Sequence, residues 1–280
     1  MTKLRIGFSP CPNDTFIFDA LIHGKIDTEG LDFEVHMSDV EELNQMAFRG
    51  ELDITKLSYH AFLHILEEYV MMDSGSALGN NCGPLLIKNS GSGNPTETDL
   101  IAIPGKYTTA NFLLNYAFPE LQNKQELLFS DIESAIKNKK VSTGLIIHEN
   151  RFTYAQRGFE KVKDLGEHWE QSTGMPIPLG GIAIKRNHDK ALQQKVQRLI
   201  RKSLEFAFEN PAESLEFVKQ HAQEMDAEVI QKHINLYVND YSLSLGENGK
   251  AAIQKMYDFS EENKLITATD KDLFVDNNSF

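Results

Sequence analysis

The run RIGFSPCPNDTFIF (Arg5–Phe18) sets how the rest of the chain is read. Residues 4–9 are apolar and short enough for a buried strand, and an apolar helix is expected from Thr15 to about His23. Two prolines, a cysteine, an asparagine and an aspartate lie between them. A loop that leaves a strand and enters a helix N-terminus presents free N–H groups and the positive end of the dipole, which suit an anion. Asn13, Asp14 and Thr15 are candidate N-caps, and Asn13 and Asp14 are candidate ligand contacts. The plainer alternative is that Pro10 and Pro12 stiffen a turn and Asn13 caps the helix.

The same phrasing returns at IAIPGKYTTANFLL (101–114), again strand, small polar loop and hydroxyl-capped helix. There Thr108 and Thr109 offer two hydroxyls at a helix start, a natural receptor for a carboxylate or phosphate. A second pair of segments can also be laid together, FRGELDITKLSYHAF (48–62) and IKNKKVSTGLIIHENRF (136–152). Ordinary α/β grammar accounts for such likeness as well as a duplication does. If the likeness is a duplication, two similar lobes face each other, and their strand ends point into the cleft between them.

Working outward, strand-like and helix-like runs alternate through the first 190 residues, the pattern of an α/β architecture. Strands are expected at 32–37, 53–58, 83–88, 100–104, 125–129, 142–148 and 182–185. Helices are expected after Ser38, after Ser58 as far as Leu66, and over 109–117 and 131–138. NSGSGNPTETD (89–99) reads as an exposed linker, and TGMPIPLGG (173–181) as a second break. From Asp189 the chain is almost wholly helical, with Pro211 at the first position of a new helix. The expected division is a larger domain of residues 1–90 plus 187–280 and a smaller one of 91–186.

At 280 residues the chain suits about two domains of ordinary size. A net charge of −13 argues against a nucleic-acid partner, although one local site can still be positive. Two cysteines, Cys11 and Cys82, sit in no metal-type spacing and are expected as reduced thiols in a cytoplasm. The start passes directly into a strand without a secretory h-region, and no run is long and apolar enough for a membrane helix. No Gly-rich dinucleotide fingerprint, Walker loop, His-Glu-x-x-His or Gly-x-Ser-x-Gly is present, so no metal or cofactor is expected. Oligomeric state is not legible.

Two strand ends carry chemistry. Lys56 and Ser58, in TKLSYH (55–60), alternate onto one face, and a lysine in a buried strand needs a partner or a cleft. His148, in GLIIHEN (144–150), follows three apolar residues where catalytic groups are commonly presented, and its ordinary pKa suits a general base. Glu149 would fall on the opposite face if the strand continued, and His233 and the remaining histidines have no comparable placement. Nothing near Cys11 beyond a helix terminus would lower its pKa.

Taken together, FSPCPNDTFIF, TKLSY, SGSALG…GPLLI, IPGKYTTANFLL, GLIIHENRFTY and DLGEHWEQSTGMPIPLGGI resemble the 1,4-dihydroxy-6-naphthoate synthase family of the futalosine route to menaquinone. The resemblance runs from about Leu4 to Ser244. It implies two α/β domains around a cleft, like type II periplasmic binding proteins, with C-terminal helices returning to the first domain. It implies cleavage of cyclic dehypoxanthine futalosine, a small carboxylate, to 1,4-dihydroxy-6-naphthoate with no cofactor. It places the proton acceptor on His148 and substrate contacts on Lys56, Leu57, Ser58, Thr108 and Thr109. The alternatives are the chorismate dehydratase-like sister enzyme of the same route, which resembles this chain less, and a non-catalytic small-anion-binding protein.

Overall fold

A computed structural model describes residues 2–222 and 226–276. The chain opens with β1 (Thr2–Phe8), α1 (Pro12–Ile22), β2 (Leu31–Met37), α2 (Val40–Phe48), β3 (Ile54–Ser58), α3 (Tyr59–Leu63), β4 (Tyr69–Met71) and β5 (Ala77–Gly79). It continues with β6 (Leu85–Asn89), β7 (Ile101–Ile103), α4 (Thr109–Ala117), β8 (Lys124–Glu126), α5 (Phe129–Lys137), β9 (Thr143–Ile146), α6 (Asn150–Thr153), β10 (Phe159–Asp164), α7 (Leu165–Thr173) and β11 (Ile177–Lys185). Helices α8 (Lys190–Glu209), α9 (Pro211–His221), α10 (Ala227–Tyr237), α11 (Asp240–Leu243) and α12 (Gly246–Glu262) complete it. Among the described residues, no helix is long and apolar enough to cross a membrane.

Two mixed sheets result, one ordered β2-β1-β3-β11-β4 with β5 also paired to β11, the other β10-β6-β9-β7-β8. Written from the opposite edge, the second sheet repeats the first. β1 lies parallel between β2 and β3, β7 lies parallel between β8 and β9, and an antiparallel strand (β11 or β6) follows in each. The two halves are therefore built on one plan, and α1 and α4 occupy equivalent positions after equivalent strands.

Sheet membership moves the expected domain boundaries. β6, placed with the first domain on sequence, pairs with β9 and β10 in the second sheet. β11, placed with the second, pairs with β3, β4 and β5 in the first. The chain crosses between Gly79 and Leu85 and returns between Asp164 and Ile177. The polar segment 89–99 is an exposed connection inside the second lobe. Composition marks where a chain is exposed, whereas ladder pairing decides which sheet owns a strand. The two crossings touch at Gly83 and Gly166, where a Cβ on Gly83 would sit 2.3 Å from the Gly166 Cα.

Strand periodicity explains the cores. On β6, Leu85 and Ile87 join Ile132 and Ile136 beneath α5, while Leu86 turns to the other face with Leu145, Phe112 and Trp169. The helical tail covers the first sheet: Val196, Leu199 and Ile200 of α8 pack with Leu4, Ile6, Phe8 and Ile182. Other boundaries shift too. The expected strand at 125–129 is Lys124–Glu126, with Phe129 already opening α5, and the expected break at 173–181 is largely β11.

Candidate active site

One cavity of about 90 Å³ lies between the sheets, and every residue singled out on sequence lines it: Asn13, Asp14, Lys56, Leu57, Ser58, Thr108, Thr109 and His148. Four elements deliver them, namely the α1 and α4 N-termini, the carboxyl end of β3 and the segment that follows β9.

The opening loop is not built as its sequence suggested. α1 begins at Pro12 with Cys11 as N-cap and no side-chain cap bond, so Asn13 and Asp14 belong to its first turn. Proline fits there because the first helical N–H has no acceptor in any case. Asp14 instead gathers donors: Ser9 N at 3.1 Å and Ser9 Oγ at 2.7 Å donate to Oδ2, and Asn13 Nδ2 donates to Oδ1 at 2.7 Å. Lys56 Nζ lies 2.9 Å from the same Oδ1 and also donates to the Gly75 carbonyl at 3.3 Å. This ion pair explains the lysine in a strand that is buried throughout. Burying two charges is tolerable only when each is paired and hydrogen-bonded, and both are.

Ser58 is the formal N-cap of α3 but caps nothing with its side chain. Its N–H donates to Asn44 Oδ1 at 3.0 Å, and its hydroxyl accepts from Asn44 Nδ2 at 3.3 Å. The hydroxyl proton has no protein acceptor among the described residues. The paired threonines differ. Thr108 accepts from Asn111 N as the α4 N-cap and donates to the Gly105 carbonyl at 2.8 Å, while Thr109 donates to the Leu179 carbonyl at 2.7 Å. Both hydroxyl protons are therefore committed to carbonyls. What they leave at the cavity is the α4 N-terminus, since Thr109 and Ala110 both line it.

His148 lies just past β9, which ends at Ile146, two residues earlier than expected. Its φ of +56° puts a non-glycine residue in the left-handed region, a conformation that clusters at functional sites. The ring packs against Phe129 at 4.9 Å and nearly parallel to His233 at 6.0 Å, with Cys11 Sγ 3.9 Å from Nε2. Burial lowers the His148 pKa from its ordinary value; Glu149, Asp14 and Asp39 pull it back, and Lys56 reinforces the lowering. The neutral imidazole, the form able to accept a proton, is thereby favoured. Cys11 goes the other way: burial, then Glu149, push its thiol well above the ordinary range, so it is no thiolate nucleophile.

Sequence reasoning missed the second layer. Because the strand stops at Ile146, Glu149 does not alternate away from His148 but turns inward and is buried. His233 arrives from α10, fully enclosed, with Nε2 2.9 Å from Asn13 Oδ1 and Nδ1 3.5 Å from Glu149 Oε2. Tyr237, one turn further along α10, reaches the cavity. No local signal marks either α10 residue, which reaches the site only because the helical tail folds back over the first sheet. His148, Glu149 and His233 also offer one ligand atom each within 4.8 Å of one another, a set that a metal ion could use.

Two lobes of one plan around a shared cavity define a periplasmic-binding-protein-like fold. The alkanesulfonate-binding protein SsuA of Xanthomonas axonopodis pv. citri, bound to MOPS, shares it at a TM-score of 0.71, with 14% identity over 96% of this chain and 95% of that one. A protein from Archaeoglobus fulgidus, AF1704, superposes more closely, at a TM-score of 0.89 with 36% identity over 94% of this chain and 98% of its own. The menaquinone biosynthesis family matches residues 4–262, and the chain belongs to that family. Among curated relatives, the 1,4-dihydroxy-6-naphtoate synthase of Thermus thermophilus is 41% identical over 98% of this chain and all of its own length. The protein of the same name from Streptomyces coelicolor is 38% identical over 96% of each.

Proposed function

We propose that this chain is a carbon–carbon lyase that converts cyclic dehypoxanthine futalosine to 1,4-dihydroxy-6-naphthoate in the cytoplasm, with His148 as general base and no cofactor. The observation that carries the reading is the placement of His148: past a strand end, in a strained backbone state, facing the cavity, with burial favouring its neutral form. The names of the two curated relatives support the product.

In this reading the substrate carboxylate meets the α4 N-terminus and the Ser58 hydroxyl, the donors left uncommitted at the cavity. His148 removes a proton, the carbon–carbon bond breaks toward an aromatic product, and aromatisation supplies driving force. Lys56 and Asp14 cancel as charges and hold the floor of the site rather than binding substrate. The cavity of about 90 Å³ is smaller than an ordinary ligand pocket, roughly 300–1,000 Å³, so the lobes part to admit substrate. The glycine contact between the two crossings is the natural place for that motion.

The test is to supply purified protein with the cyclic nucleoside derivative and, separately, chorismate, each with and without a chelator. Product from the first alone, unaffected by the chelator, supports the reading. Conversion of chorismate, or tight binding without product, replaces it with the sister dehydratase or with a binding protein. His148→Asn serves as the control that assigns the base.

A further inference from the structure

The hydrogen bonds behind His148 constrain a proton that the reaction scheme has not used. Asp14 receives Ser9 N, Ser9 Oγ, Asn13 Nδ2 and Lys56 Nζ, so it is an acceptor throughout. Asn13 must then turn its NH2 to Asp14 and its oxygen to His233, and at 2.9 Å that oxygen accepts from Nε2–H. This fixes the tautomer. If His233 were neutral and Glu149 ionised, the Nδ1 lone pair would face a carboxylate oxygen 3.5 Å away, with both atoms buried and neither having another partner among the described residues. Two bare acceptors in that position are costly, and one proton between them removes the cost.

We propose that Glu149 and His233 share one proton between Oε2 and Nδ1, and that this pair, neutral as a whole, is the positioning device of the catalytic histidine. The inference rests on the reading of His148 as the base. Glu149 is the next residue after His148, so tying it to α10 pins the backbone at φ +56° and sets His148 against a near-parallel His233 ring. It also removes a bare carboxylate from beside a group that must stay neutral to act as a base. The charged and titratable groups that face the pair and His148 are Cys11 and Asp14 from α1, Asp39 before α2, Lys56 from β3, Tyr237 from α10, and Cys82 with Arg151 beyond Tyr237.

Nitrogen-15 NMR of the histidine-labelled wild-type protein, without substrate, reads the proton directly. The expected result is a His233 ring protonated at Nε2, with Nδ1 hydrogen-bonded or also protonated. An Nδ1–H tautomer, or a bare Nδ1 with no hydrogen bond, overturns the proposal. Kinetics give a second reading. E149Q keeps a donor toward Nδ1, and its acid limb of kcat/KM should stay where the wild type's is, with most turnover retained. E149L should lose about 100-fold in kcat, the scale of a roughly 1 Å misplacement, with little change in KM. If the E149Q acid limb moves to lower pH, as removal of an ionised carboxylate beside His148 would cause, the proposal fails. It fails too if E149Q falls as far as E149L. Should E149L not fold, E149Q and the spectrum still decide. A stoichiometric metal ion in the purified protein would also overturn it, since two ligands of a tetrahedral ion at about 2.0–2.2 Å stand at a similar separation. Should His148→Asn prove fully active, the function falls while the NMR result stands by itself.

Discussion

β3 and β9 hold equivalent places in the two sheets, yet their carboxyl ends are furnished in opposite ways. β3 runs straight into α3, and its polar groups are tied, Lys56 to Asp14 and Gly75 and the Ser58 N–H to Asn44, with only the Ser58 hydroxyl proton left over among the described residues. β9 stops early, and His148 is set in a left-handed conformation among aromatic rings, with a thiol 3.9 Å away as its near polar neighbour. One plan has thus produced a scaffold end and a reactive end. A saturated polar group is stiff and chemically quiet, whereas a neutral imidazole without a strong partner keeps its lone pair for a substrate.

The largest test of that contrast is His148→Asn. General-base loss should lower kcat by about 10²–10⁴-fold, while the thermal unfolding midpoint hardly moves. A variant that unfolds instead would make His148 a structural residue like Lys56. The reciprocal change, Lys56→Met, strands the buried Asp14 carboxylate and should cost about 3–5 kcal/mol in urea unfolding. If stability is unchanged, the β3 end is not the scaffold described.

Acid titration comes next. Burial, then His64, push His60 down to about 3, and burial also lowers His64 and His148. Below pH 6.5 the unfolded chain therefore binds more protons than the folded one, so stability falls as pH falls from 6.5 toward 3. The slope is at most about 1.4 kcal/mol per pH unit for each such group. Unfolding free energies measured along this range should be steeper for wild type than for His60→Phe. Equal slopes would remove His60 from the account. The smallest effect is expected at the α4 cap, where Thr108→Val should cost about 1 kcal/mol in unfolding free energy. Because its hydroxyl proton is committed to Gly105, KM should change little; a large rise in KM would make the Thr108 hydroxyl a ligand contact.

Much of this was legible in the residues. Apolar strands, a helix opening just after Ser38, Pro211 opening α9 and the repeated strand–loop–helix phrasing all depend on local chemistry, and all stand in the structure. Element limits were less legible where a strand end is decided by its neighbour's ladder, as at Ile146 and at β11. Which lobe owns β6 could not be read from a polar linker, because exposure and pairing are different properties.

The sequence by itself determined the α/β class, the family resemblance and part of the set of residues that meet at the cavity, because strand-end position and residue chemistry are local facts. Only the tertiary structure decided how those residues divide their work. It paired Lys56 with Asp14, committed the threonine protons to carbonyls, turned Glu149 inward, and brought His233 from α10 to stand behind His148. Hydrogen-bond partners and burial depend on residues up to 220 positions apart, as Asn13 and His233 are, and no local pattern records them.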